Sequence, residues 1–395
     1  MTRQATPPAA RHPSGHFDAV VVGARAAGAA TAMLLARRGL RVLAIDKAAY
    51  GSDTLSSHAL MRGAVSRLQR WGLLGKVWEA GTPVITKTSF RYGPNVLEVD
   101  ISATDDIPGL AAPRRTVLDP ILVDAAMSAG AVVCHETRLL SIDTDATGRV
   151  RDLQLRFADG STGALSAELL IGADGLHSTV ARQLDVPVTR HGAYGSAYVL
   201  QYFAHVDLPA DTYYWLYRPG LGAGVIPTND GTFCVFAAIP PDRFKAEARC
   251  NAAAMLADVL HALDPDLWRV LSAGTHAGPT RSWPGVRGQF RKPHGAGWAL
   301  VGDAGYFKDP FAAHGISDAF RDAELLTEAI MDGDFRRYER LRDELSMPLF
   351  NVLERIASYG WDLESLPGLH VQLSQAMRDE ESAANARVHT GVVAA

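Results

Sequence analysis

Gly23, Arg25 and Gly28 stand in the stretch VVVGARAAGAATAMLLARRG (20–39), and Asp46 follows 23 residues after the first glycine. Residues of these types at this spacing can hold the phosphates of a dinucleotide. In the pattern G-x-G-x-x-G the first glycine permits a sharp turn, the middle one lets the backbone approach a pyrophosphate, and the last lets helix and strand pack closely. Arg25 takes the middle place, while Ala24, Ala26 and Ala27 keep the rest of the turn thin. Its Cβ admits a diphosphate only if the side chain points away from or along the ligand, although a guanidinium has the right charge. Asp46, with Lys47 beside it, closes the next strand, where an acid accepts hydrogen bonds from an adenosine ribose and disfavours a 2′-phosphate. That suits FAD or NAD better than NADP. The competing reading of an incomplete motif is a plain strand–helix turn without a ligand.

The elements that must position these residues follow from hydrophobic pattern. Residues 17–23 read as a buried strand, 26–38 as a helix stopped by Gly39, and 41–46 as a second, parallel strand, which makes a βαβ unit. Residues 53–74 read as one helix, with Asp53, Thr54 and Ser56 as candidate caps and Leu60, Val65 and Leu68 on its apolar side. TKTSFRY and NVLEVD predict a hairpin around Gly93-Pro94. Helix follows at RTVLDPILVDAAMSAG, then strands at AVVCHETRLLSIDTD, VRDLQLRFADG and AELLIGADG (167–175). Residues 192–240 are strand-rich and aromatic, 243–271 helical, 297–305 a last buried strand, and 315–331 a helix. The remainder is helical, with a tail after about Ala383 that need not be ordered.

This order predicts an α/β chain: a three-layer Rossmann-like domain interrupted by a β-sheet substrate domain and followed by C-terminal helices. The expected division is a disordered tail over 1–16, a discontinuous cofactor domain over 17–83, 113–184 and 282–330, a substrate domain over 84–112 and 185–281, and a C-terminal helical segment over 331–395. The 395 residues suffice for two packed domains, with 47% hydrophobic and 21% charged residues. A net charge of −4 gives no electrostatic reason to expect nucleic acid or an anionic membrane. The apolar stretch 19–36 is interrupted by Gly23, Arg25 and Gly28, so strand–turn–helix is favoured over a membrane span. Cys134, Cys234 and Cys250 are far apart and form no Cys-x-x-Cys, so no metal site or redox dithiol is expected and a reducing cytoplasm fits.

Two later stretches carry a resemblance. In IGADGLHSTVAR (171–182), Gly172, Asp174, Gly175, Ser178 and Val180 are similar to the Asp-Gly motif of flavoprotein aromatic hydroxylases, with Arg182 in place of the usual adjacent arginine. GDAGYFKDPFAAHGISDAFRDAELL (302–326) resembles their second flavin motif at Gly302, Asp303, Ala304, Pro310, Gly315 and Asp322-Ala323. RRTVLD adds Arg115, with Arg114 as an adjacent rival. Over about residues 17–330 the chain thus resembles single-component FAD monooxygenases of the para-hydroxybenzoate hydroxylase type. Tyr306, Ala313 and Ser317 depart from the pattern and resemble a less typical branch, near geranylgeranyl reductase-like and halogenase-like flavoproteins. The halogenase signature Trp-x-Trp-x-Ile-Pro is absent, since GAGVIP (222–227) keeps only Ile226-Pro227.

The resemblance implies FAD held by Gly23, Ala24, Arg25, Ala27, Gly28, Asp46, Lys47, Arg115, Asp174, Gly302, Asp303, Pro310, Gly315 and Ile316. Asp303, at the end of a buried strand, can accept from ribityl hydroxyls, and the helix from Gly315 can turn its amides toward the pyrimidine carbonyls. The implied reaction adds dioxygen at the flavin C4a carbon and passes hydroxyl to an electron-rich aromatic or polyketide-like substrate. NAD(P)H would supply electrons without a Rossmann domain of its own, and a separate flavin reductase is the alternative source. A reductase acting on carbon–carbon bonds, or a flavin-binding protein without oxygenase activity, are the competing functions. His58, His314 and Pro310 are the candidate catalytic residues; each borders an expected flavin segment, and a histidine can exchange protons near neutral pH. Tyr198, Leu200 and Tyr202, with Tyr213, Trp215 and Tyr217, either wall a substrate pocket or simply pack a sheet.

Overall fold

A computed structural model describes residues 12–104, 107–247 and 251–391 of the chain. Val-, Ala- and Leu-rich runs buried on both faces form the central parallel strands, as expected where helices cover both sides of a sheet. His16–Val22 lies between Thr162–Gly172 and Val42–Ile45, all parallel. Trp298–Leu300 extends the sheet beyond Thr162–Gly172, and Val132–Cys134 extends it beyond Val42–Ile45. The helix Ala26–Arg37 packs on this sheet through Ala29, Ala30, Ala32, Met33 and Leu35, all buried. Small side chains on that face bring the helix close, which fixes where its N-terminus points.

The second large sheet is mostly antiparallel and runs Thr275–His276, Ala197–Ala204, Thr232–Ile239, Leu221–Pro227, Thr212–Arg218, Lys87–Tyr92 and Asn95–Asp100. The hairpin expected around Gly93-Pro94 is present, with Tyr92 opposite Asn95. Tyr198, Leu200, Tyr202, Tyr213, Trp215 and Tyr217 share the face that joins the main core, whereas Val199, Phe203, Tyr214 and Leu216 pack under Ala252–Leu263 and Pro265–Ser272. A small third sheet couples Val188–His191 to Gln289–Arg291 and Tyr306–Phe307. Strand 188–191, expected within the interrupting unit, therefore pairs with Gln289–Arg291, a segment expected in the cofactor domain.

Several expectations are corrected. The long helix expected over 53–74 begins only at Arg62. Asp53 is drawn into ion pairs with Arg114 (3.2 Å) and Arg281 (3.1 Å) instead of capping, and His58 has a left-handed backbone, φ 64°, which no helix continues through. The strand expected over 297–305 is confined to Trp298–Leu300 and gives way to a short 3₁₀ turn, Gly302–Ala304. The C-terminal helix runs Leu366–Gly391 and so takes in residues after Ala383, which were not required to be ordered. Residues 1–11 and Cys250 lie outside the described residues. From His12 to His16 the lead-in is mostly exposed, although the His12 ring stacks on Phe157 at 4.1 Å and bonds Asp159 at 2.9 Å.

Candidate functional site

The carboxyl ends of the parallel strands, the place where open α/β sheets leave a crevice, border a cleft of about 640 Å³. Its depth depends on three glycines, two in the first turn and one near residue 302. Gly23 turns at φ 101°, and a Cβ there would sit 2.4 Å from the Ala173 carbonyl oxygen; at Gly28 it would sit 1.7 Å from the Gly23 carbonyl oxygen. Gly302, at φ 60°, would press a Cβ within 2.9 Å of the Ala27 methyl. The first turn is thus in contact with both the 171–182 and the 302–326 segment, and side chains at these positions would push them apart.

Arg25 stands at the N-terminus of the Ala26–Arg37 helix, which has no side-chain cap, so its first amides face the cleft unpaired. The guanidinium is held to one side. It donates to the Ser52 carbonyl (3.2 Å) and hydroxyl (3.0 Å) and pairs with Asp119 at 3.3 Å. Of the two arrangements that admit a diphosphate, the chain adopts the one with the side chain turned away. Asp119 is shared with Arg115, 2.8 Å away and one helical turn before it. Arg115 lines the cleft; Arg114 instead lies over the Tyr202 ring, 4.2 Å from its centroid. At the far end Asp46 accepts from the Ala24 and Ala48 amides, both at 2.8 Å, which pins the turn and leaves its remaining lone pairs toward the cleft. Lys47, Thr137, Arg138 and Leu139 complete that end.

Asp174 lines the cleft, but its carboxylate caps the short helix Thr179–Gln183, accepting from the Thr179 amide (2.6 Å) and the Ser178 hydroxyl (2.5 Å). Its side chain therefore shapes the turn rather than offering a free acceptor. Asp303 does the opposite. Half-buried at the cleft, it receives no hydrogen bond from any described residue, and burial pushes its carboxyl up to about 6 against the pull of Lys308 and Arg115. An acid left in this state awaits donors from outside the protein. Pro310, Ala313, Gly315 and Ile316 form the adjoining wall, and the N-terminus of the Gly315–Asp332 helix faces the same space. Two helix N-termini and two acceptors around one elongated cleft match a ligand with a diphosphate, ribose hydroxyls and a carbonyl-bearing ring. The residues fit FAD.

Not every expected residue reaches the cleft. Ala24, Gly28 and Gly302 build its walls from behind. His58 and His314 do not line it, which corrects their reading as proton exchangers near neutral pH. His58 is fully buried, bonded to the Tyr202 hydroxyl, and burial with Arg115, Arg114 and Arg281 nearby lowers its pKa well below the usual range. His314 bonds Glu380 at 3.0 Å, and its burial likewise favours the neutral ring. His314, Asp318 and Glu380 have the closeness of metal ligands, but Lys308 and Arg321 already pair with these carboxylates. The lining segments 54–57 and 137–139 went unforeseen; the apparent helix pattern hid the first, and no spacing marks the second.

A family described as an FAD binding domain matches residues 16–332. The chain belongs to that family. Among similar proteins, 2,4-dichlorophenol 6-monooxygenase of Delftia acidovorans is 28% identical over 279 residues, 61% of this chain and 46% of that protein. Aklavinone 12-hydroxylase of Streptomyces peucetius is 30% identical over 63% of this chain and 56% of its own length. The chain spans about half the length of these two relatives. Menaquinone reductase of Mycolicibacterium smegmatis, 28% identical, is matched over 86% of this chain and 83% of the reductase. Among solved structures, a variant of the flavin-dependent brominase Bmp2 superposes with a TM-score of 0.79 at 20% identity, covering 93% of this chain and 95% of that one. At such identity the likeness is one of fold, and it agrees with the expected Rossmann-like FAD domain and second sheet. No helix among the described residues is long and apolar enough to cross a membrane.

Proposed function

We propose that the protein is an FAD-dependent monooxygenase that hydroxylates an aromatic or polyketide-like small molecule, with NAD(P)H as electron donor and dioxygen as co-substrate. The observation that carries this reading is the cleft: a free acceptor at Asp303, an unpaired helix end at Arg25–Ala27 and a second helix end at Gly315, in a chain similar to a dichlorophenol monooxygenase and an aklavinone hydroxylase. Reduced FAD supplies the activation of dioxygen when bound. The Ala26–Arg37 helix end would hold the diphosphate, Asp46 the ribose and Asp303 the ribityl chain, and Pro310–Ile316 would form the wall for the ring. The amides opening the Gly315–Asp332 helix would favour negative charge on a ring held there. His58 stays neutral and holds the Tyr202 hydroxyl, keeping the wall behind 54–57 ordered and dry.

The same division into a cofactor domain over 17–83, 113–184 and 282–330 and a substrate domain over 84–112 and 185–281 is part of this proposal, as is a reducing, cytoplasmic setting. A second reading, an FAD-dependent reductase, draws support from the match to menaquinone reductase over most of both chains. Oxygen uptake separates the two. With purified protein, FAD and NADH or NADPH, a phenolic or polyketide panel should contain compounds that raise oxygen consumption and gain one oxygen atom. Turnover that proceeds equally well without oxygen would move the assignment to the reductase. Failure of NAD(P)H to reduce the bound flavin would point to a separate flavin reductase.

A further inference from the structure

The family match ends at residue 332, yet a residue near the chain's far end reaches back into the wall of the cleft. Glu380, on the C-terminal helix Leu366–Gly391, is 4% exposed. One of its carboxylate oxygens meets His314 Nε2 at 3.0 Å, and the other pairs with Arg321 at 3.1 Å. His314 separates Ala313 from Gly315, and both of these line the cleft. The turn is under strain, because Ala313 adopts a left-handed backbone at φ 50° where the side chain makes that costly. A strained turn persists only when its surroundings hold it. Around it, Arg321 also pairs with Asp318 and Asp322, and Lys308 pairs with Asp318, all inside the protein. Two members of this cluster come from beyond the family-matched span: Ser346, whose hydroxyl accepts from Arg321 at 2.8 Å, and Glu380, which alone of the two also meets His314.

We propose that Glu380 is a positioning residue for the cofactor: through His314 it holds the 313–315 turn in the form that receives the FAD ring, which makes the C-terminal helix a working part of the site. The proposal rests on the FAD reading above. Its logic is geometric, since the carboxylate bridges a residue of the turn and a residue two turns along the helix that the turn begins. Glutamine can keep both contacts, its oxygen accepting from Arg321 and its amide donating to the neutral His314 ring, whereas alanine can keep neither.

The test is an FAD titration of the apoprotein by flavin fluorescence, for the parent, Glu380→Ala, Glu380→Gln and Glu381→Ala, with melting of each apoprotein and the midpoint potential of each bound flavin. Losing a charge-assisted hydrogen bond predicts an FAD Kd about tenfold or more weaker in Glu380→Ala and about threefold or less in Glu380→Gln. Removing a buried negative charge near the ring makes the Glu380→Gln potential more positive than the parent's. Glu381, which accepts from Ser66 at 2.7 Å and lies outside the turn, leaves both readouts at parent values when changed to alanine. A folded Glu380→Ala that binds FAD as tightly as the parent overturns the proposal. If that variant does not fold, Glu380→Gln decides, and a potential that does not move overturns it. A parent that binds no FAD would sink the underlying reading instead.

Discussion

At the turns that follow the parallel strands the chain keeps its residues small and leaves room; along the inner face of the antiparallel sheet it uses large rings and leaves little. The cleft wall is glycine and alanine backed by acids, with about 640 Å³ between (Gly23, Ala27, Ala173, Gly175, Gly315). The facing sheet presents Tyr213, Trp215 and Phe236 with ring centroids 6.1 to 6.3 Å apart, and all three are buried. The contrast teaches where chemistry can be read from residue type. A cofactor cleft forbids side chains at particular places and so leaves a pattern. Aromatic residues on a strand look the same whether they line a pocket or fill a core, and in this molecule they join the main core.

The largest expected effect would break that contrast. Trp215→Ala should lower folding stability by about 3–5 kcal/mol, the usual cost of deleting a buried ring, while a folded fraction keeps parent affinity for FAD. Chemical denaturation with an FAD titration checks both. A small stability loss with a large rise in KM for an accepted substrate would show that the ring lines a pocket.

A smaller effect concerns Asp303 and follows from its raised pKa of about 6. The folded value lies above the unfolded one, so ionising this acid costs stability: the penalty is absent below roughly pH 4, grows toward pH 6 and is complete above it. Asp303→Asn removes the penalty. Its apoprotein should be more stable than the parent at pH 8 by no more than about 2 kcal/mol, since the carboxyl is partly open to the cleft, and the gap should close as pH falls toward 4. Melting curves across that range test the sign, and a parent that is the more stable at pH 8 would show that Asp303 is not an isolated acceptor.

Much of the cofactor half was legible. Gly23, Gly28 and Asp46 have spacings that only a few geometries satisfy, and Gly302 and Asp303 follow a strand end. What escaped was set by tertiary partners. Asp53 looks like a helix cap, but two distant guanidiniums claim it. His58 and His314 border the right segments, yet whether a histidine faces a cleft or a core depends on Tyr202 and on Glu380, 144 and 66 residues away in sequence. Asp174 sits in a recognisable motif, and only the structure shows that its carboxylate caps Thr179–Gln183.

The smallest expected effect is at Arg25, the residue that made the first motif irregular. Because its guanidinium is engaged by Ser52 and Asp119, Arg25→Ala should weaken FAD binding by less than about threefold, in the range of a partly exposed ion pair. A loss of a hundredfold would mean that the arginine swings in to grip the diphosphate.

The central claim is that separated segments of the chain converge on one FAD, with Asp303 as its acceptor at the strand end. Titrating FAD into apoprotein tests it most directly, comparing the parent with Asp303→Ala. The account predicts saturable binding with one FAD per chain, and an affinity about ten to a hundred times weaker when the carboxylate is removed. A parent that takes up no FAD, or an Asp303→Ala variant that binds it like the parent, would contradict it.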